Sequence, residues 1–226
     1  QSTPLHGLER HLSKGRAETV ALVLRPAQLK GEFYSELLAG FQAIMRGRDL
    51  EMLLSVVPHN EDPLAWVHKL VLGRTCGAIA VHHEILQEAT PKALQSLPIP
   101  AVLVNYYPDG EAPAPPPITT IGFNNGGGMR QAVRHLAALG HTRIGYLGGT
   151  PGHPDALQRK EGFLAAMTEL RLQILEEWVA DCSFELDTEG AVAGVSQILA
   201  RRDERPTAVA CASDAIAAGA IPGTLP

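Results

Sequence analysis

Residues 141–163 read HTRIGYLGGTPGHPDALQRKEGF and indicate the fold class of this chain of 226 residues. The apolar run at residues 144–147 has the length of a buried strand, and a loop rich in glycine and proline follows it directly. Beyond the loop, apolar residues return at helical spacing, and they are Leu157, Phe163, Ala166, Met167 and Leu170. The segment is therefore predicted to be a strand, a loop and a helix, which is the repeating unit of an α/β protein.

The same unit recurs along the rest of the chain. Further strands are predicted at residues 19–24, 51–57, 77–81, 101–105, 118–123, 178–180 and 208–211. Helices are predicted at residues 33–48, 63–72, 91–96, 129–139 and 188–200, and from residue 213 until Pro222 ends the last helix after two turns. Residues 106–117 contain five prolines and are predicted to be a surface loop. Because strands alternate with helices throughout, we expect parallel sheets flanked by helices.

Composition and charge narrow the classes of function. The chain is 45% hydrophobic and 19% charged, which is typical of a folded globular protein. Its net charge of −5 provides no overall attraction to nucleic acid or to anionic membranes, so any DNA contact should be local. No apolar run approaches the roughly 20 residues of a membrane span, and the N-terminal residues lack a signal-peptide core. We therefore expect a cytoplasmic protein without a membrane partner.

The cysteines and the loop motifs give little support to catalysis or metal binding. Cys76, Cys182 and Cys211 are widely spaced, so we expect reduced thiols and neither disulfides nor a zinc site. A metal site at His82 and His83 lacks a suitably spaced third ligand. The glycine-rich loop at residues 148–152 invites a nucleotide interpretation, but it lacks the order of a dinucleotide fingerprint. We expect neither an enzyme nor a bound cofactor.

Polar side chains follow the strand at residues 144–147. In an open parallel sheet, ligands bind beyond the carboxyl ends of the strands, which is where His153, Asp155 and Arg159 are predicted to lie. The alternative is that Asp155 and Arg159, four residues apart on a helix, only form an ion pair on a solvated face.

Several pieces of the sequence, taken in order, resemble the effector-binding core of the LacI/GalR family of bacterial transcription regulators. They lie at residues 33–40, 77–81, 99–105, 125–128, 135–149, 159–163, and 205–209 with 213–219. The resemblance implies a two-lobed α/β fold of the type I periplasmic-binding-protein kind, with the effector held between the lobes. It implies a hinge-helix remnant at residues 1–16, a DNA-proximal lobe at residues 17–123, and an incomplete distal lobe at residues 124–226. We accordingly expect the chain to be truncated at both ends.

The resemblance also implies which side chains meet the effector. Arg159 matches the family's arginine that binds hydroxyls or carboxylates of the effector. His153 and Asp155 match positions whose side chains also contact the effector. One of the aromatic pair Phe33 and Tyr34 is expected to face the ligand. The remaining expected contacts are His82 after the third strand, Asn105 where many relatives have Asp, Cys182 or Phe184 where relatives have an aromatic residue, and Ser213 where they commonly have Asn.

The N-terminal residues match the family's hinge helix, which folds on operator DNA and inserts a leucine into the minor groove. Leu12 is the matching leucine, and Arg10 is an expected DNA contact beside it. The helix-turn-helix domain that precedes the hinge in the family is absent from the sequence.

These observations together favour a ligand-gated regulator, expected to be a repressor. The expected partners are a sugar or similar small polar metabolite, operator DNA, and a second copy of the chain in a homodimer. The alternative is an exported sugar-binding protein of a transport system, which has the same fold.

Overall fold

The computed structural model describes residues 18–29, 32–82, 90–105, 118–184, 188–201 and 204–224. The chain divides into two compact units, Gln1–Phe123 and Asn124–Pro226, called unit 1 and unit 2 below. The predicted hinge remnant, including Leu12 and Arg10, lies outside the described residues, as do His83 and the proline-rich loop at residues 106–117.

Unit 1 contains a parallel sheet in the strand order β2-β1-β3-β4-β5. Its strands are β1 (Thr19–Leu24), β2 (Glu51–Val56), β3 (Ala78–His82), β4 (Ala101–Val104) and β5 (Thr119–Ile121). Its helices are α1 (Glu32–Gly47), α2 (Pro63–Leu72) and α3 (Thr90–Gln95), and a 3₁₀ turn covers Pro26–Leu29.

Strand β1 lies in the interior of the sheet and is covered on both faces, which explains why its sequence is continuously apolar. Ala21 and Val23 belong to a core cluster on one face of the sheet, whereas Leu22 and Leu24 belong to a cluster on the other face. Successive side chains of a strand point to opposite faces, so a strand covered on both sides requires an uninterrupted apolar run.

Helix α2 begins and ends where the sequence pattern predicts. The Asp62 carboxylate accepts a hydrogen bond from the Leu64 N–H at 3.0 Å, and Pro63 occupies the first helical position. Proline suits this position because its missing N–H would have no partner within the helix. Val67 and Val71 are buried one turn apart against the sheet.

Unit 2 contains a second parallel sheet in the strand order β7-β6-β8. Its strands are β6 (Ile144–Gly148), β7 (Val179–Asp181) and β8 (Ala208–Cys211). Its helices are α4 (Asn125–Ala138), α5 (Pro154–Glu169), α6 (Thr188–Ile198) and α7 (Asp214–Thr224), and a 3₁₀ turn covers Glu176–Trp178. The expected α/β class with parallel sheets and flanking helices is confirmed.

The core of unit 2 lies around β6, all of whose residues are buried. Tyr146 stacks on Phe163 of α5, with ring centroids 4.9 Å apart. Helices α4 and α5 approach each other closely at two glycines. A Cβ on Gly162 would lie 2.5 Å from the carbonyl oxygen and 2.7 Å from the Cα of Gly126, so neither backbone could accommodate it.

The predicted start of α4 at residue 129 is wrong. The helix begins at Asn125 and includes the three glycines at residues 126–128. The Asn124 side chain caps it, accepting a hydrogen bond from the Gly127 N–H at 2.9 Å. The cap satisfies a free N–H group, and the Gly126 backbone packs closely on Gly162 of α5. Together these contacts outweigh the low helix propensity of glycine.

The prediction that Pro222 breaks the last helix is also wrong, because α7 continues through Pro222 to Thr224. Only two helical residues follow Pro222, so the missing N–H removes one hydrogen bond near the helix end. Gly223 packs against α6, where an added Cβ would lie 2.6 Å from a methyl group of Val195. Packing thus holds the last turn in helical form.

Within the described ranges, no helix combines the length and apolarity that a bilayer span requires.

Candidate functional site

The start of α5 holds two of the predicted site residues of unit 2. His153 is the N-cap of this helix, and its Nδ1 accepts a hydrogen bond from the Asp155 N–H at 3.2 Å. Because Nδ1 is an acceptor, the neutral ring carries its proton on Nε2. Pro154 occupies the first helical position. His153 and Asp155 are therefore held beyond the carboxyl end of β6, as expected.

Arg159 lies one turn further along α5 and is held by two hydrogen bonds. Its Nε donates to the Asn125 side-chain oxygen at 2.9 Å, and its Nη1 donates to the Ala212 carbonyl oxygen at 2.6 Å. The guanidinium carbon also lies 5.3 Å from the centroid of the Phe184 ring. A guanidinium has five N–H groups. Within the described residues, Nη2 makes no hydrogen bond, so this end of the side chain can donate to a ligand.

Asn125 is a member of this network that sequence reasoning missed. Its amide nitrogen donates to Asp155 Oδ1 at 3.0 Å and to Gln158 Oε1 at 3.2 Å, while its oxygen accepts from Arg159. The side chain is only 6% exposed. The sequence did contain a signal, since a polar pair, Asn124 and Asn125, precedes three glycines at the junction of the two predicted lobes.

Phe184 and Cys182 were alternative candidates for one aromatic position, and the structure gives them different environments. The Phe184 ring meets the His153 ring edge-on at 5.2 Å and also the Arg159 guanidinium. A Cβ at Gly149 would overlap the Phe184 ring, so glycine is required beneath it. Cys182 instead donates its thiol to the Gly148 carbonyl oxygen at 3.2 Å. Phe184 is thus the residue that provides an aromatic face beside Arg159.

Ser213 is the N-cap of α7, since its hydroxyl oxygen accepts a hydrogen bond from the Ile216 N–H at 3.2 Å. Asp214 is the first residue of this helix, and among the contacts described its carboxylate accepts only from the adjacent Ala215 N–H at 2.9 Å. The Ser213 hydroxyl therefore has a structural role, although its proton can still be donated.

The predicted site residues of unit 1 also gather at the carboxyl ends of their strands. Tyr34 Oη and His82 Nε2 are 3.2 Å apart, and His82 is fully buried. Phe33 meets Tyr34 at 4.9 Å and Phe123 at 5.4 Å between ring centroids. Phe33 and Phe123 are 43% and 47% exposed, so they present aromatic surface, whereas Tyr34 is directed toward His82. Phe123 was not among the predicted site residues.

Asn105 directly follows β4 and adopts a positive φ of 59°. Asparagine tolerates this left-handed conformation better than most residues do. Its N–H donates to the Ile121 carbonyl oxygen at 2.6 Å, and the residue is buried. Asn105 is thereby held at the end of the strand next to the one that carries His82.

The Cys211 thiol and the buried Tyr146 hydroxyl of unit 2 are protonated at neutral pH. Burial, and to a lesser degree Cys182, raise the pKa of Cys211 to about 11. Burial, followed by the charge of Asp181, raises the pKa of Tyr146 well above its usual value, and Arg159 partly opposes this shift. A protonated thiol is a poor nucleophile, so Cys211 is not suited to nucleophilic catalysis. The described part of the chain also contains no cluster of three or more His, Cys, Asp or Glu side chains placed to hold a metal ion.

Comparison with known proteins identifies homologues of the chain. The family described as "Periplasmic binding protein-like domain" matches residues 133–223. The repressor PurR of Vibrio cholerae serotype O1 (strain M66-2) is 27% identical over 93% of this chain and 60% of PurR. The regulator GalR of Escherichia coli (strain K12) is 27% identical over 94% of this chain and 59% of GalR. The chain therefore spans about 60% of the length of these relatives.

A solved structure supports the same conclusion at the level of the fold. The complex of the transcriptional regulator CelR with cellobiose is 22% identical, covers 99% of this chain and 69% of CelR, and gives a TM-score of 0.72. PurR is named as a transcriptional repressor and GalR as a transcriptional regulator. The chain is a homologue of the LacI/GalR-family transcriptional regulators, and its residues 133–223 match a periplasmic binding protein-like domain.

Proposed function

We propose that the chain is the effector-binding and dimerising core of a LacI-type DNA-binding transcriptional regulator, which we expect to act as a repressor. In this proposal unit 1 is the DNA-proximal lobe, unit 2 is the distal lobe, and the effector is a sugar or a similar small polar metabolite. The main support is the environment of Arg159. Two hydrogen bonds and an aromatic ring hold its guanidinium, while one terminal nitrogen makes no hydrogen bond to a described residue.

The side chains near Arg159 have the chemistry that a polar ring-shaped ligand requires. Arginine N–H groups donate to hydroxyl or carboxylate oxygens, and Asp155 provides acceptor oxygens on the same helix. Phe184 adds a flat apolar face of the kind on which a sugar ring packs. His153, Cys182 and Ser213 complete the proposed contacts of unit 2, and Phe33, Tyr34, His82 and Asn105 are the proposed contacts of unit 1.

The proposed regulation is a coupling between effector binding and operator binding. An effector that prefers one of two conformations shifts the population toward it. A coupling of about 1–3 kcal/mol would change DNA affinity roughly 5- to 150-fold. Operator DNA would be bound by a helix-turn-helix domain outside this sequence, with Leu12 and Arg10 as contacts in the hinge.

The surface of unit 1 supports a homodimer. None of the residues 33–47 of α1 is fully buried, and among the residues that the structure describes, the core cluster beneath this helix has four buried members. Ile44 on α1 is 55% exposed, and Leu54 on the edge strand β2 is 39% exposed. Exposed apolar surface of this kind is typical of a protein interface. We therefore propose that α1 and β2 contribute to the contact between two copies.

We further propose that the protein is cytoplasmic and has no enzymatic activity. The alternative remains an exported sugar-binding protein of a transport system. Operator binding by the full-length protein separates the two, because only a regulator should bind DNA in an effector-dependent way.

A thermal-shift screen of the full-length protein tests the proposal. The compounds would be D-ribose, cellobiose, D-glucose 6-phosphate and guanosine, which represent neutral sugars, sugar phosphates and nucleosides. We expect at least one of them to raise the melting temperature, because a ligand that binds only the folded state stabilises it. The Arg159→Ala variant should bind that compound roughly 10- to 100-fold more weakly, since a hydrogen bond to a charged group contributes about 1.5–3 kcal/mol.

The matched control is Arg134→Ala, which removes an arginine whose ion pair with Glu169 at 2.7 Å is exposed to solvent. This change should leave ligand affinity unchanged. The proposal fails if none of the compounds stabilises the protein, or if Arg159→Ala binds as tightly as the wild type.

A further inference from the structure

The amide of Asn125 connects three side chains on one face of α5. Its nitrogen donates to Asp155 and to Gln158, and its oxygen accepts from the Nε–H of Arg159. An asparagine amide has two kinds of hydrogen-bonding group, and here both are used within a single network. Asn125 itself is only 6% exposed, so the amide at the centre of this network is shielded from water.

The backbone of Asn125 is held close to α5 by Gly126, the residue that follows it. Gly126 packs against Gly162 so closely that a Cβ on Gly162 would lie 2.5 Å from the Gly126 carbonyl oxygen. Asn125 therefore faces Arg159 from a position that the packing of two helices determines.

The contact with Asn125 has a specific effect on Arg159. An arginine side chain is long and flexible, and ordering it on ligand binding costs conformational entropy. The hydrogen bonds of Nε with Asn125 and of Nη1 with Ala212 restrain the side chain at two of its three nitrogens. The terminal Nη2 group therefore has a fixed orientation before a ligand binds, which favours tighter binding.

We propose that Asn125 is a positioning residue that orients the Arg159 guanidinium for the effector. It acts through Arg159, and its importance for regulation rests on the proposed function above. The orientation of the Arg159 guanidinium in the ligand-free protein can, however, be tested without knowing the effector.

The test is nitrogen-15 NMR of arginine Nε–H groups in the ligand-free full-length protein. The Arg159 signal is assigned by its loss in Arg159→Lys, and its exchange with water is then measured. In the wild type we expect slow exchange, because the Nε–H is hydrogen-bonded to the buried Asn125 side chain. In Asn125→Ala we expect exchange about tenfold faster or more, which is the effect of losing one hydrogen bond to a charged group.

Two further variants separate positioning from general loss of structure. Asn124→Ala removes the cap of the same helix but no atom that contacts Arg159, so slow exchange should persist although the melting temperature falls. Asn125→Asp combined with Asp155→Asn keeps an oxygen acceptor for the Nε–H and a donor–acceptor pair between residues 125 and 155, so slow exchange should persist there as well. Unchanged exchange in Asn125→Ala, or equally fast exchange in Asn124→Ala, would overturn the inference.

A second experiment measures the affinity for the compounds of the thermal-shift screen in a double-mutant cycle. Asn125→Ala should weaken binding of the stabilising compound about tenfold, a loss of one hydrogen bond to a charged group. The same change made in an Arg159→Ala background should have no further effect, because Asn125 acts through Arg159. A further tenfold loss of affinity on adding Asn125→Ala to the Arg159→Ala variant would contradict the inference. Failure of every compound to bind would instead contradict the proposed function, and the NMR result would still decide the role of Asn125.

Discussion

Arg159 and Asn125 illustrate how sequence and structure differ in what they reveal about single residues. Arg159 belongs to a segment that resembles a known family, and its position after a strand and loop predicts a ligand contact. Asn125 lies 34 residues earlier, and nothing in its local pattern indicates that its amide accepts a hydrogen bond from Arg159. Hydrogen-bond partners distant in sequence depend on tertiary packing, which is why this residue was missed.

Tyr146 allows a prediction about stability at the scale of one atom. Its hydroxyl is buried and, within the described residues, has no hydrogen-bond partner. An unsatisfied buried polar group costs about 1–3 kcal/mol. We expect Tyr146→Phe to raise the free energy of unfolding by about 1 kcal/mol, as measured by urea denaturation, because the ring and its stacking on Phe163 remain.

The control for Tyr146 is Tyr34→Phe, which removes a hydroxyl that is hydrogen-bonded to His82. That change should lower the free energy of unfolding by about 1 kcal/mol. A loss of stability in Tyr146→Phe as large as that in Tyr34→Phe would show that the Tyr146 hydroxyl does have a partner.

At the scale of elements, the reliable predictions are those in which local pattern and packing agree. The sequence predicts α2 within its observed bounds, because Asp62 and Pro63 are a cap and a first-turn residue and the apolar residues beyond them recur at helical spacing. It fails at the start of α4, which it places at Met129, after the three glycines, whereas the helix begins at Asn125. The glycines are helical because a cap and a neighbouring helix stabilise them. Packing against a neighbouring helix likewise stabilises the turn that contains Pro222, because Gly223 lies against α6.

The contact between α4 and α5 gives a prediction with a matched control in the same helix pair. Gly162→Ala should lower the free energy of unfolding of unit 2 by about 2–3 kcal/mol, because the new Cβ would overlap the Gly126 backbone and force the helices apart. Gly128→Ala should instead be neutral or stabilising by up to about 1 kcal/mol, since alanine favours a helix and nothing lies within 4 Å of its Cβ.

Urea denaturation followed by far-UV circular dichroism would measure both glycine variants. Equal stability of the two variants would contradict the close approach of α4 and α5. A loss of stability in Gly128→Ala alone would contradict the helical start of α4 at Asn125.

At the scale of the whole molecule, each unit has its own parallel sheet and its own core, and the boundary falls between Phe123 and Asn124. The predicted site residues of unit 1 lie at the carboxyl ends of its strands, and those of unit 2 lie at the carboxyl ends of its strands. This distribution follows from parallel strands, which end at the same edge of a sheet.

The proposed homodimer leads to a prediction for the full-length protein. Ile44→Asp should weaken dimerisation at least about tenfold, because burying an unpaired carboxylate in an apolar contact costs more than the 1.4 kcal/mol that a tenfold change represents. Size-exclusion chromatography with light scattering, at several protein concentrations, would measure the change. Leu139→Asp, at a comparably exposed apolar position of unit 2, should leave the dimer intact. A dimer that is unaffected by Ile44→Asp would exclude this part of α1 from the interface.

The sequence by itself determined the alternation of strands and helices, the parallel class of the sheets, and the resemblance to a family of regulators. These features depend on periodicity and on residues close together in the chain, which a sequence displays directly. Only the tertiary structure decided that three glycines and a proline are helical, that Phe184 rather than Cys182 lies against Arg159, and that Asn125 holds the Arg159 guanidinium. Each of these depends on atoms from segments far apart in the chain, and their contacts exist only once the helices have packed on the sheet.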